Sequence, residues 1–484
     1  MPPDLSGLVA IAAGENPDRI ALAESAGRSL TWGALEDEVA RVATGLGAAG
    51  VVAGHRVMIV LGNRIEFVTT YLGVLRAQAV AVPTNPRATV EELTRILDDS
   101  GSRVVVAEPD TAAAVREAAD AATQRPRTVV VGAADACLGE TSYADLVDVT
   151  PRPVPPLEEP ERLAALLYTS GTSGRPRAAM LTHRALLANI EQVTRVEPPL
   201  IHGDDVVLGV LPLFHVYGLN AVLGGVLRHG ARLVLVERWD PQAVLDLVED
   251  EACSVLPVAP PVLLRWLPME DLAERLGPVR LVVSGAAPLD GAVVEEFTAR
   301  SGVPVHQGYG LTEAAPIVTT TLQSGDATPG SVGAALPGIE VRLVDEAGRE
   351  VTGEDPGEIS LRGDNLFSGY WPDGADGPDA DGWWATGDVG FLDGDGDLTL
   401  VDRVRDLVIV SGFNVYPTEV EEVLREVAGV ADVAVVGTPD AETGEAVVAY
   451  VVPTGSDGET LVVRLQEHAA GRLARFKLPA RIEV

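Results

Sequence analysis

The sequence predicts an α/β protein with a large N-terminal domain of stacked, mostly parallel sheets, a β-rich subdomain and a small α+β C-terminal domain. Short apolar runs alternate with amphipathic segments before residue 330, and continuous apolar runs between helices indicate parallel strands that are buried on both faces. From about residue 330, glycines, Asp-Gly turns and short alternating segments dominate, which favours hairpins. The 484 residues are enough for about three units of roughly 100–200 residues each.

The part of the chain before residue 330 gives strand and helix predictions in regular alternation. Leu35, Val39, Val42 and Leu46 recur at helical spacing, so we expect a helix there. Further predicted helices cover 90–97 and 184–195, and the predicted strands cover 104–106, 128–131, 163–168, 233–236, 254–257 and 279–283. This is the pattern of strands that lie between layers of helices.

The rest of the chain predicts two smaller parts. Strands at 339–344, 358–362 and 398–401 build the β-rich subdomain, which spans about 330–402. A compact α+β part follows, with helices at 418–427 and 461–473 and strands at 432–436 and 447–452. We therefore expect an N-terminal domain of residues 1–402 and a C-terminal domain of residues 403–484.

The charge of the chain excludes some classes of partner. Lysine and arginine number 36 and aspartate and glutamate 71, which gives a formal net charge of −35. Proteins that bind nucleic acid neutralise phosphates with clusters of basic residues, so no nucleic-acid partner is expected. The same deficit of positive charge argues against adsorption to anionic lipid.

One apolar stretch has the length of a membrane span. Residues 206–227 carry no formal charge when His215 is neutral. Pro212, Asn220 and several glycines interrupt the stretch, so we expect a buried strand, loop and helix that line a pocket, and no integral membrane association. Cys137 and Cys253 are far apart in sequence, which predicts neither a disulfide scaffold nor a zinc cluster and fits a reduced, cytoplasmic setting.

The strongest chemical signal is the sequence YTSGTSGRPR at 168–177. It follows an apolar strand and is expected to lead into a helix. Small residues allow close backbone approach, consecutive N–H groups can form an anion-binding nest, and the hydroxyl groups add donors. The segment lacks the GxxxxGK[ST] pattern of a Walker A loop and the GxSxG pattern of a nucleophile elbow. It therefore predicts a phosphate-binding loop of another kind.

This loop resembles the phosphate-binding signature of the adenylate-forming superfamily, which includes acyl-CoA synthetases, peptide-synthetase adenylation domains and luciferases. Further segments resemble motifs of that family and occur in its order. They are LPLFHVYG at 211–218, SGAAPL at 284–289, QGYGLTE at 307–313, WATGD at 384–388, DRVRD at 402–406 and SGFNVYP at 411–417. Together these motifs cover essentially the whole chain and are far more specific than any one of them.

The resemblance implies a role for each matching residue. The catalytic set would be His215 at the acyl carboxylate, Thr312 at the α-phosphate, Glu313 as the ligand of Mg²⁺, and Arg177 near the β- and γ-phosphates. Residues implied to bind the nucleotide are Thr169, Ser170, Gly171, Thr172, Ser173, Gly174, Gly285, Ala286, Ala287, Gly308, Tyr309, Gly310, Thr312, Asp388, Arg403 and Gly412. Within that set Tyr309 would pack on adenine, and Asp388 and Arg403 would hold the ribose. The C-terminal domain would be a mobile lid that turns about Arg405.

The activity that the resemblance implies uses ATP, Mg²⁺ and CoA. A carboxylic acid, in particular a fatty acid, would become acyl-AMP and then a thioester of CoA. A fatty acyl-AMP ligase that loads an acyl carrier protein and a catalytically weak nucleotide-binding homologue remain alternatives. Residues 219–222 offer no Asp for an amino group, which disfavours amino-acid activation. Gly224 and Gly225 could leave room for an acyl tunnel or could mark tight helix packing, and both interpretations stay open.

The chain departs from the family pattern at two places. Arg177 and Ala178 stand where the family usually has Lys-Gly, and Arg keeps the positive charge. At the other end, FKLPARIEV at 476–484 resembles the segment that precedes the family's Gly-Lys pair, and Lys477 matches an earlier position. A truncated chain and a natural chain without that lysine both remain possible. For this polypeptide we expect ATP binding with slow adenylation.

Overall fold

The computed structural model describes residues 2–132, 139–155, 159–169, 177–325, 330–345, 347–351, 355–403, 408–410, 413–440, 444–455, 458–473 and 475–484. The chain divides into two compact units. The first comprises Met1–Glu340 with Arg362–Gly382, and the second comprises Val341–Leu361 with Trp383–Val484. The expected domain boundary at residue 402 stays a prediction.

Strands and helices alternate through the first unit, as the apolar pattern predicts. Its strands are β1 (Ile20–Glu24), β2 (Ser29–Thr31), β3 (Arg56–Val60), β4 (Val80–Pro83), β5 (Val104–Ala107), β6 (Arg127–Val130), β7 (Thr141–Ser142), β8 (Leu163–Thr169), β9 (Arg177–Thr182), β10 (Val206–Gly209), β11 (Arg232–Leu235), β12 (Val255–Val258), β13 (Leu281–Ser284), β14 (Val305–Gln307), β15 (Thr319–Thr320) and β16 (Ala334–Ala335). Its helices are α1 (Gly7–Glu15), α2 (Trp32–Ala48), α3 (Ile65–Arg76), α4 (Val90–Ser100), α5 (Pro109–Ala121), α6 (Tyr143–Val147), α7 (His183–Thr194), α8 (Gly225–His229), α9 (Pro241–Asp250), α10 (Pro260–Trp266), α11 (Leu272–Arg275) and α12 (Gly291–Ser301). A π-helix at Tyr217–Gly224 and a 3₁₀ turn at Thr312–Ala314 complete this unit's described helices.

Two mostly parallel sheets organise the first unit. One has the strand order β7–β6–β5–β3–β4–β8–β9, and the other has the order β14–β13–β12–β10–β11–β1–β2. Neighbours pair in parallel except for the antiparallel pairs β8–β9 and β1–β2. Residues 57–60 of β3 and 104–107 of β5 are fully or almost fully buried, as expected for parallel strands covered on both faces. The predicted α/β fold class is confirmed.

Local sequence signals explain where helices begin and end. At the start of α4, Thr89 Oγ1 accepts from Glu92 N at 3.3 Å and Glu92 Oε2 accepts from Thr89 N at 2.8 Å, which is a reciprocal capping box. The helix ends at Gly101, whose φ of 59° lies in the left-handed region that favours glycine. The amphipathic segment predicted at 90–97 therefore extends to Ser100.

The phosphate-loop region differs from the prediction. The sequence analysis places the loop between a strand and a helix, but β9 follows it and pairs antiparallel with β8, so Thr169 lies opposite Arg177. Helix α7 begins only after β9, at His183, with Thr182 Oγ1 accepting from Ala185 N at 3.1 Å. The apolar residues 178–181 form a strand because they are buried or half-buried against the sheet. The loop therefore joins two strands of a hairpin.

Residues 206–227 form β10, a loop, the π-helix and the beginning of α8, which is the arrangement expected from their interrupted apolar sequence. In the part of the chain that the structure describes, no helix combines the length and the apolar character needed to cross a membrane.

The second unit contains most of the β-rich part and the whole described C-terminal α+β part. Strands β17 (Ile339–Val344), β18 (Gly357–Gly363), β19 (Trp384–Leu392) and β20 (Leu398–Arg403) form one sheet in that order. A second sheet combines β21 (Val408–Val410), β22 (Phe413–Val415), β23 (Val430–Asp440), β24 (Gly444–Pro453) and β25 (Arg481–Glu483) with helices α13 (Pro417–Arg425) and α14 (Gly458–Arg472). A separate apolar core that includes Val420, Leu424, Val447 and Leu465 holds this second sheet against its helices.

Candidate nucleotide and acyl site

The first unit contains a cavity of about 480 Å³ where several of the predicted motifs meet. Its walls come from residues 211–218, 283–286, 308–312 and 316–320. Predicted site residues that line it are His215, Gly285, Ala286, Gly308, Tyr309, Gly310 and Thr312. Motifs that are up to about a hundred residues apart in sequence thus contribute to one concave surface, because β10, β12, β13 and β14 end side by side in one parallel sheet.

Asn63 anchors the loop that carries His215. Its Nδ2 donates to the carbonyl oxygens of Gly209 at 3.0 Å and Leu211 at 2.8 Å, and its Oδ1 accepts from Leu213 N at 2.9 Å. Asn63 is buried, so these bonds fix the loop without competition from water. The sequence analysis missed this residue. Its position in a Gly-Asn pair just after a buried strand was the available signal.

His215 faces the cavity beside an aromatic ring. The ring centroids of Phe214 and His215 are 4.4 Å apart with an interplanar angle of 43°. Burial lowers the pKa of His215, so the imidazole is neutral at pH 7. Tyr217 forms the adjoining wall and donates its hydroxyl to the carbonyl oxygen of Val283 at 3.2 Å, which fixes the tyrosine ring.

The segment 284–287 forms the opposite wall. Ser284 ends β13, is 2% exposed, and its Oγ has no hydrogen-bond partner among the described residues. Ala286 has a φ of 71°, a left-handed conformation that costs a residue with a Cβ roughly 1–2 kcal/mol. Ala287 is exposed and does not line the cavity, unlike Gly285 and Ala286. A buried hydroxyl and a strained turn at one cavity wall are typical of a ligand site.

Residues 308–312 turn back on 316–320. Tyr309 N donates to Thr319 Oγ1 at 3.3 Å, and Val318 N donates to the Tyr309 carbonyl oxygen at 2.9 Å. Gly310 is required here, because a Cβ at this position would lie 2.3 Å from the carbonyl oxygen of Pro316. Tyr309 is 8% exposed and lines the cavity, so its ring offers a flat apolar surface to a ligand.

Glu313, Tyr370 and Arg177 form a chain of contacts near this turn. Tyr370 donates its hydroxyl to Glu313 Oε1 at 2.7 Å, and the Arg177 guanidinium lies 3.8 Å from the centroid of the Tyr370 ring. Burial, followed by the nearby Glu313 carboxylate, raises the pKa of Tyr370, so the phenol stays protonated. Arg177 also pairs with Asp376 at 2.7 Å. Tyr370 is a second residue that the sequence analysis missed.

The backbone explains why Tyr370 meets Arg177. Ala179 of β9 forms an antiparallel bridge with Tyr370, and Trp371 N donates to the Ala178 carbonyl oxygen at 2.9 Å. Strand β9 therefore carries Arg177 to residues 368–371. Thr169 lies beside Arg177 at the loop end of the same hairpin, where its Oγ1 donates to the Arg177 carbonyl oxygen at 3.5 Å.

Several predicted site residues are not among those that line the cavity of the first unit. Ser170, Gly171, Thr172, Ser173, Gly174 and Gly412 lie outside the described residues. Asp388 and Arg403 belong to the second unit, where they are directly opposite each other in the register of β19 and β20. Asp388 N donates to Thr386 Oγ1 at 3.0 Å. The two residues implied to hold the ribose are thus adjacent to each other.

The Glu313 carboxylate is suited to bind a magnesium ion. A carboxylate has about four lone-pair positions, so Glu313 can accept from Tyr370 and ligate a cation at the same time. Mg²⁺ prefers such oxygen ligands and usually takes one or two carboxylates together with phosphate oxygens of a substrate. Glu313 is 7% exposed, which gives it a fixed position in the 3₁₀ turn at Thr312–Ala314.

Known proteins resemble this chain along almost its whole length. The sequence profile described as AMP-binding enzyme matches residues 9–371, and that of the AMP-binding enzyme C-terminal domain matches residues 419–484. 4-Coumarate–CoA ligase 5 of Oryza sativa subsp. japonica is 36% identical over 460 residues, which cover 92% of this chain and 84% of that protein. The long-chain-fatty-acid–CoA ligase of Bacillus subtilis (strain 168) is 30% identical over 515 residues, which cover 99% and 90%. Among solved structures, ATP-bound MatB from Rhodopseudomonas palustris has a TM-score of 0.88 and 32% identity, and the match covers 100% of this chain and 95% of that one.

Proposed function

The chain belongs to the AMP-binding enzyme family and is an adenylate-forming acid–CoA ligase, and we propose that its substrate is a compact carboxylic acid with an apolar body. An arylpropenoate or a short- to medium-chain fatty acid fits this description. The similarity to 4-coumarate–CoA ligases supports the first, and the similarity to a fatty-acid–CoA ligase supports the second.

The lining of the cavity carries this proposal. None of the described residues that line it is Asp, Glu, Lys or Arg, and Val193, Leu200, Leu211, Val216, Ala259, Ile317 and Leu336 supply apolar surface. Burying a charge without a partner is costly, so this lining favours an acid whose only charge is the reacting carboxylate.

Tight helix packing supports a compact acid over a long chain. A Cβ on Gly224 would lie 2.6 Å from Ile190 Cδ1, and a Cβ on Gly225 would lie 2.8 Å from Ile201 Cδ1. Of the two interpretations left open for these glycines, packing is therefore the one that the contacts support. A neighbouring cavity that Val193 and Leu200 also line has a volume of only about 10 Å³, which is too small for a further part of an acyl chain.

The reaction consists of two nucleophilic displacement steps at one site. A carboxylate oxygen attacks the α-phosphorus of ATP and pyrophosphate leaves; the CoA sulfur then attacks the acyl carbon, AMP leaves and the thiol proton passes to solvent. Neutral His215 can donate to a carboxylate oxygen without adding charge, and the Thr312 hydroxyl can donate to the α-phosphate. Arg177 offers a fork-shaped cation to phosphate oxygens. Mg²⁺ bound at Glu313 would offset the charge of the phosphates.

Matched acids test the proposal. The full chain is mixed with Mg·ATP, CoA and one acid, and the acyl-CoA product is measured by mass spectrometry. We expect 3-phenylpropenoate, hexanoate and octanoate to react, and hexanedioate to react at least about a hundredfold more slowly than hexanoate because its second carboxylate would be buried without a partner. Reactions with holo-acyl carrier protein in place of CoA serve as the acceptor control. Equal use of hexanedioate and hexanoate would contradict the proposed substrate class.

A further inference from the structure

The chain leaves regular helix geometry directly after the 3₁₀ turn at Thr312–Ala314. Ala315 has a φ of 65°, in the left-handed region that residues with a Cβ rarely adopt. Ala314 and Ala315 are 0% exposed, so their carbonyl oxygens need hydrogen-bond partners from inside the protein. The conformation of residues 314–317 therefore depends on bonds that other elements supply.

Three asparagines with no exposed surface supply these bonds, and they are Asn189 of α7, Asn220 of the π-helix and Asn365 of the loop after β18. Asn365 Nδ2 donates to the Ala314 carbonyl oxygen at 2.7 Å. Asn220 Nδ2 donates to the Ala315 carbonyl oxygen at 2.7 Å. Asn189 bonds to Ile317 twice, because its Nδ2 donates to the carbonyl oxygen at 2.7 Å and its Oδ1 accepts from the backbone N at 3.1 Å. Side-chain amides thus replace the backbone partners of a regular strand.

Gln192 joins two of these asparagines. Its Oε1 accepts from Asn189 Nδ2 at 3.3 Å, and its Nε2 donates to Asn365 Oδ1 at 3.3 Å. Gln192 is 5% exposed, so both bonds are protected from water. A Cβ on Gly363 would lie 2.5 Å from Asn365 Oδ1, so the position needs glycine to admit this amide. Asn189, Gln192 and Asn365 therefore form one continuous buried chain behind the segment.

The two ends of the segment hold different parts of the site. At one end, Phe367 N donates to the Glu313 carbonyl oxygen at 2.9 Å, next to the bond from Asn365 to Ala314. At the other end, Ile317 lines the cavity of the first unit, and Asn189 fixes its backbone. Asn365 thus supports the turn that carries Glu313, and Asn189 supports a wall of the cavity.

We propose that Asn365 and Asn189 are positioning residues with separate tasks in the reaction. Asn365 fixes the Glu313 carboxylate for Mg²⁺, and Asn189 fixes Ile317 against the acid. This inference rests on the proposed function, because it takes Glu313 as the ligand of Mg²⁺ and the cavity as the site of the acid. Both residues act through the segment 313–317, which their amides hold from behind.

Asn365→Ala tests the metal end of the segment. Mg²⁺ is titrated by calorimetry into the full chain together with α,β-methylene-ATP, so the readout does not depend on turnover. We expect the affinity for Mg²⁺ to fall by about tenfold, the lower end of the effect of residues that orient a metal ligand. KM for hexanoate should stay that of wild type.

Asn189→Ala tests the acid end of the segment. Acyl-CoA formation by the full chain is measured with varied hexanoate. We expect KM for hexanoate to rise by about tenfold, because the energy of one hydrogen bond corresponds to a factor of this size. The affinity for Mg²⁺ should stay that of wild type.

Ser301→Ala is the matched control for the loss of buried hydrogen bonds. Ser301 is 5% exposed, and its Oγ donates to the Phe297 carbonyl oxygen at 2.7 Å and accepts from Val303 N at 3.1 Å. The variant should lower the midpoint of urea unfolding without changing the affinity for Mg²⁺ or KM for hexanoate. Asparagines with a merely structural role would give that same profile.

Separate shifts, in Mg²⁺ affinity for Asn365→Ala and in KM for Asn189→Ala, support the proposal. Wild-type values of both quantities in either variant, or shifts of both quantities in both variants, would overturn it. If Asn365→Ala does not fold, Gln192→Leu takes its place, because it keeps the bond to Ala314 and removes the amide that supports Asn365 Oδ1. Gln192→Leu should weaken Mg²⁺ binding, and an unchanged affinity would overturn the proposal. A wild-type chain that forms no CoA thioester with any acid would instead contradict the proposed function.

Discussion

Tyr370 donates its hydroxyl to Glu313 Oε1 at 2.7 Å, although the two residues are 57 positions apart in the sequence. The ring of the same tyrosine lies under the Arg177 guanidinium. Tyr370 thus links Glu313, the implied ligand of magnesium, to Arg177, the implied partner of the phosphates. The effects expected below for variants of these three residues depend on this link.

Replacing Tyr370 by Phe should weaken magnesium binding. Partners that orient a metal ligand typically contribute 10- to 100-fold to metal affinity, so Tyr370→Phe should raise the Mg²⁺ concentration for half-maximal pyrophosphate exchange by about tenfold or more. Calorimetric titration with Mg·ATP provides a second readout. Tyr143→Phe is the control, because Tyr143 also donates to a glutamate, Glu38, at 2.9 Å. An unchanged Mg²⁺ dependence in Tyr370→Phe would contradict the role of Tyr370.

Glu313→Gln should lower Mg²⁺-dependent adenylation by about a hundredfold, because the amide keeps the shape of the side chain but loses the charge that holds the cation. Combining it with Tyr370→Phe gives a double-mutant cycle. If Tyr370 acts through Glu313, the double variant should be hardly slower than Glu313→Gln alone. Additive losses would show that the two residues act independently.

Removing the partner of Arg177 should favour ATP binding. The Arg177–Asp376 pair joins a 31% exposed and a 71% exposed side chain, so its own contribution to stability is roughly 0–1 kcal/mol. Asp376→Asn should therefore lower KM for ATP by up to about fivefold, while Arg177→Ala raises it. Steady-state kinetics with varied ATP measure both. A higher KM in Asp376→Asn would mean that the ion pair holds Arg177 in its binding position.

Asn63→Ala should loosen the loop that carries His215. The substitution removes three hydrogen bonds and takes a partner from the Leu211 carbonyl oxygen and from Leu213 N, each at roughly 1–3 kcal/mol, whereas the Gly209 carbonyl oxygen still accepts from Val236 N at 3.1 Å. We therefore expect a loss of a few kcal/mol in the free energy of unfolding or a clear rise in KM for the acid. Asn85→Ala is the control, because Asn85 makes an exposed bond to Arg87 N at 2.9 Å. Urea unfolding and acid kinetics that match wild type would refute this anchoring role.

His183 should make the folded state sensitive to acid. Its Nδ1 accepts from Leu5 N at 3.3 Å, and burial lowers its pKa to about 4. The unfolded chain binds this proton near pH 6.5 and the folded chain does not, so stability is fully present above pH 6.5 and falls as the pH drops towards 4. At pH 5 the loss should be about 2 kcal/mol. His183→Asn keeps an acceptor but does not titrate, so it should lose less unfolding free energy than wild type between pH 7.5 and 5. A loss equal to that of wild type would contradict the assignment of this acid sensitivity to His183.

The sequence predicts most of the fold because buried parallel strands have a strong local signature. The apolar run at 104–106 lies within β5, and the run at 279–283 overlaps β13, which begins two residues later and ends one residue later. The β8–β9 hairpin was missed because the small residues 178–179 carry little strand signal and pair with β8 only across the loop. Tyr370 and Asn63 could not be predicted either, since their partners are 57 and about 150 residues away and become neighbours only in the folded sheets.

The most direct test of the account is a crystal structure with a non-hydrolysable acyl-adenylate analogue of 3-phenylpropenoate. The account predicts the adenine against Tyr309 and residues 285–286, the acyl group between His215 and Leu336, and no ligand atoms elsewhere in the first unit. An analogue bound at another place, with the cavity of residues 211–218, 283–286 and 308–312 left empty, would contradict it.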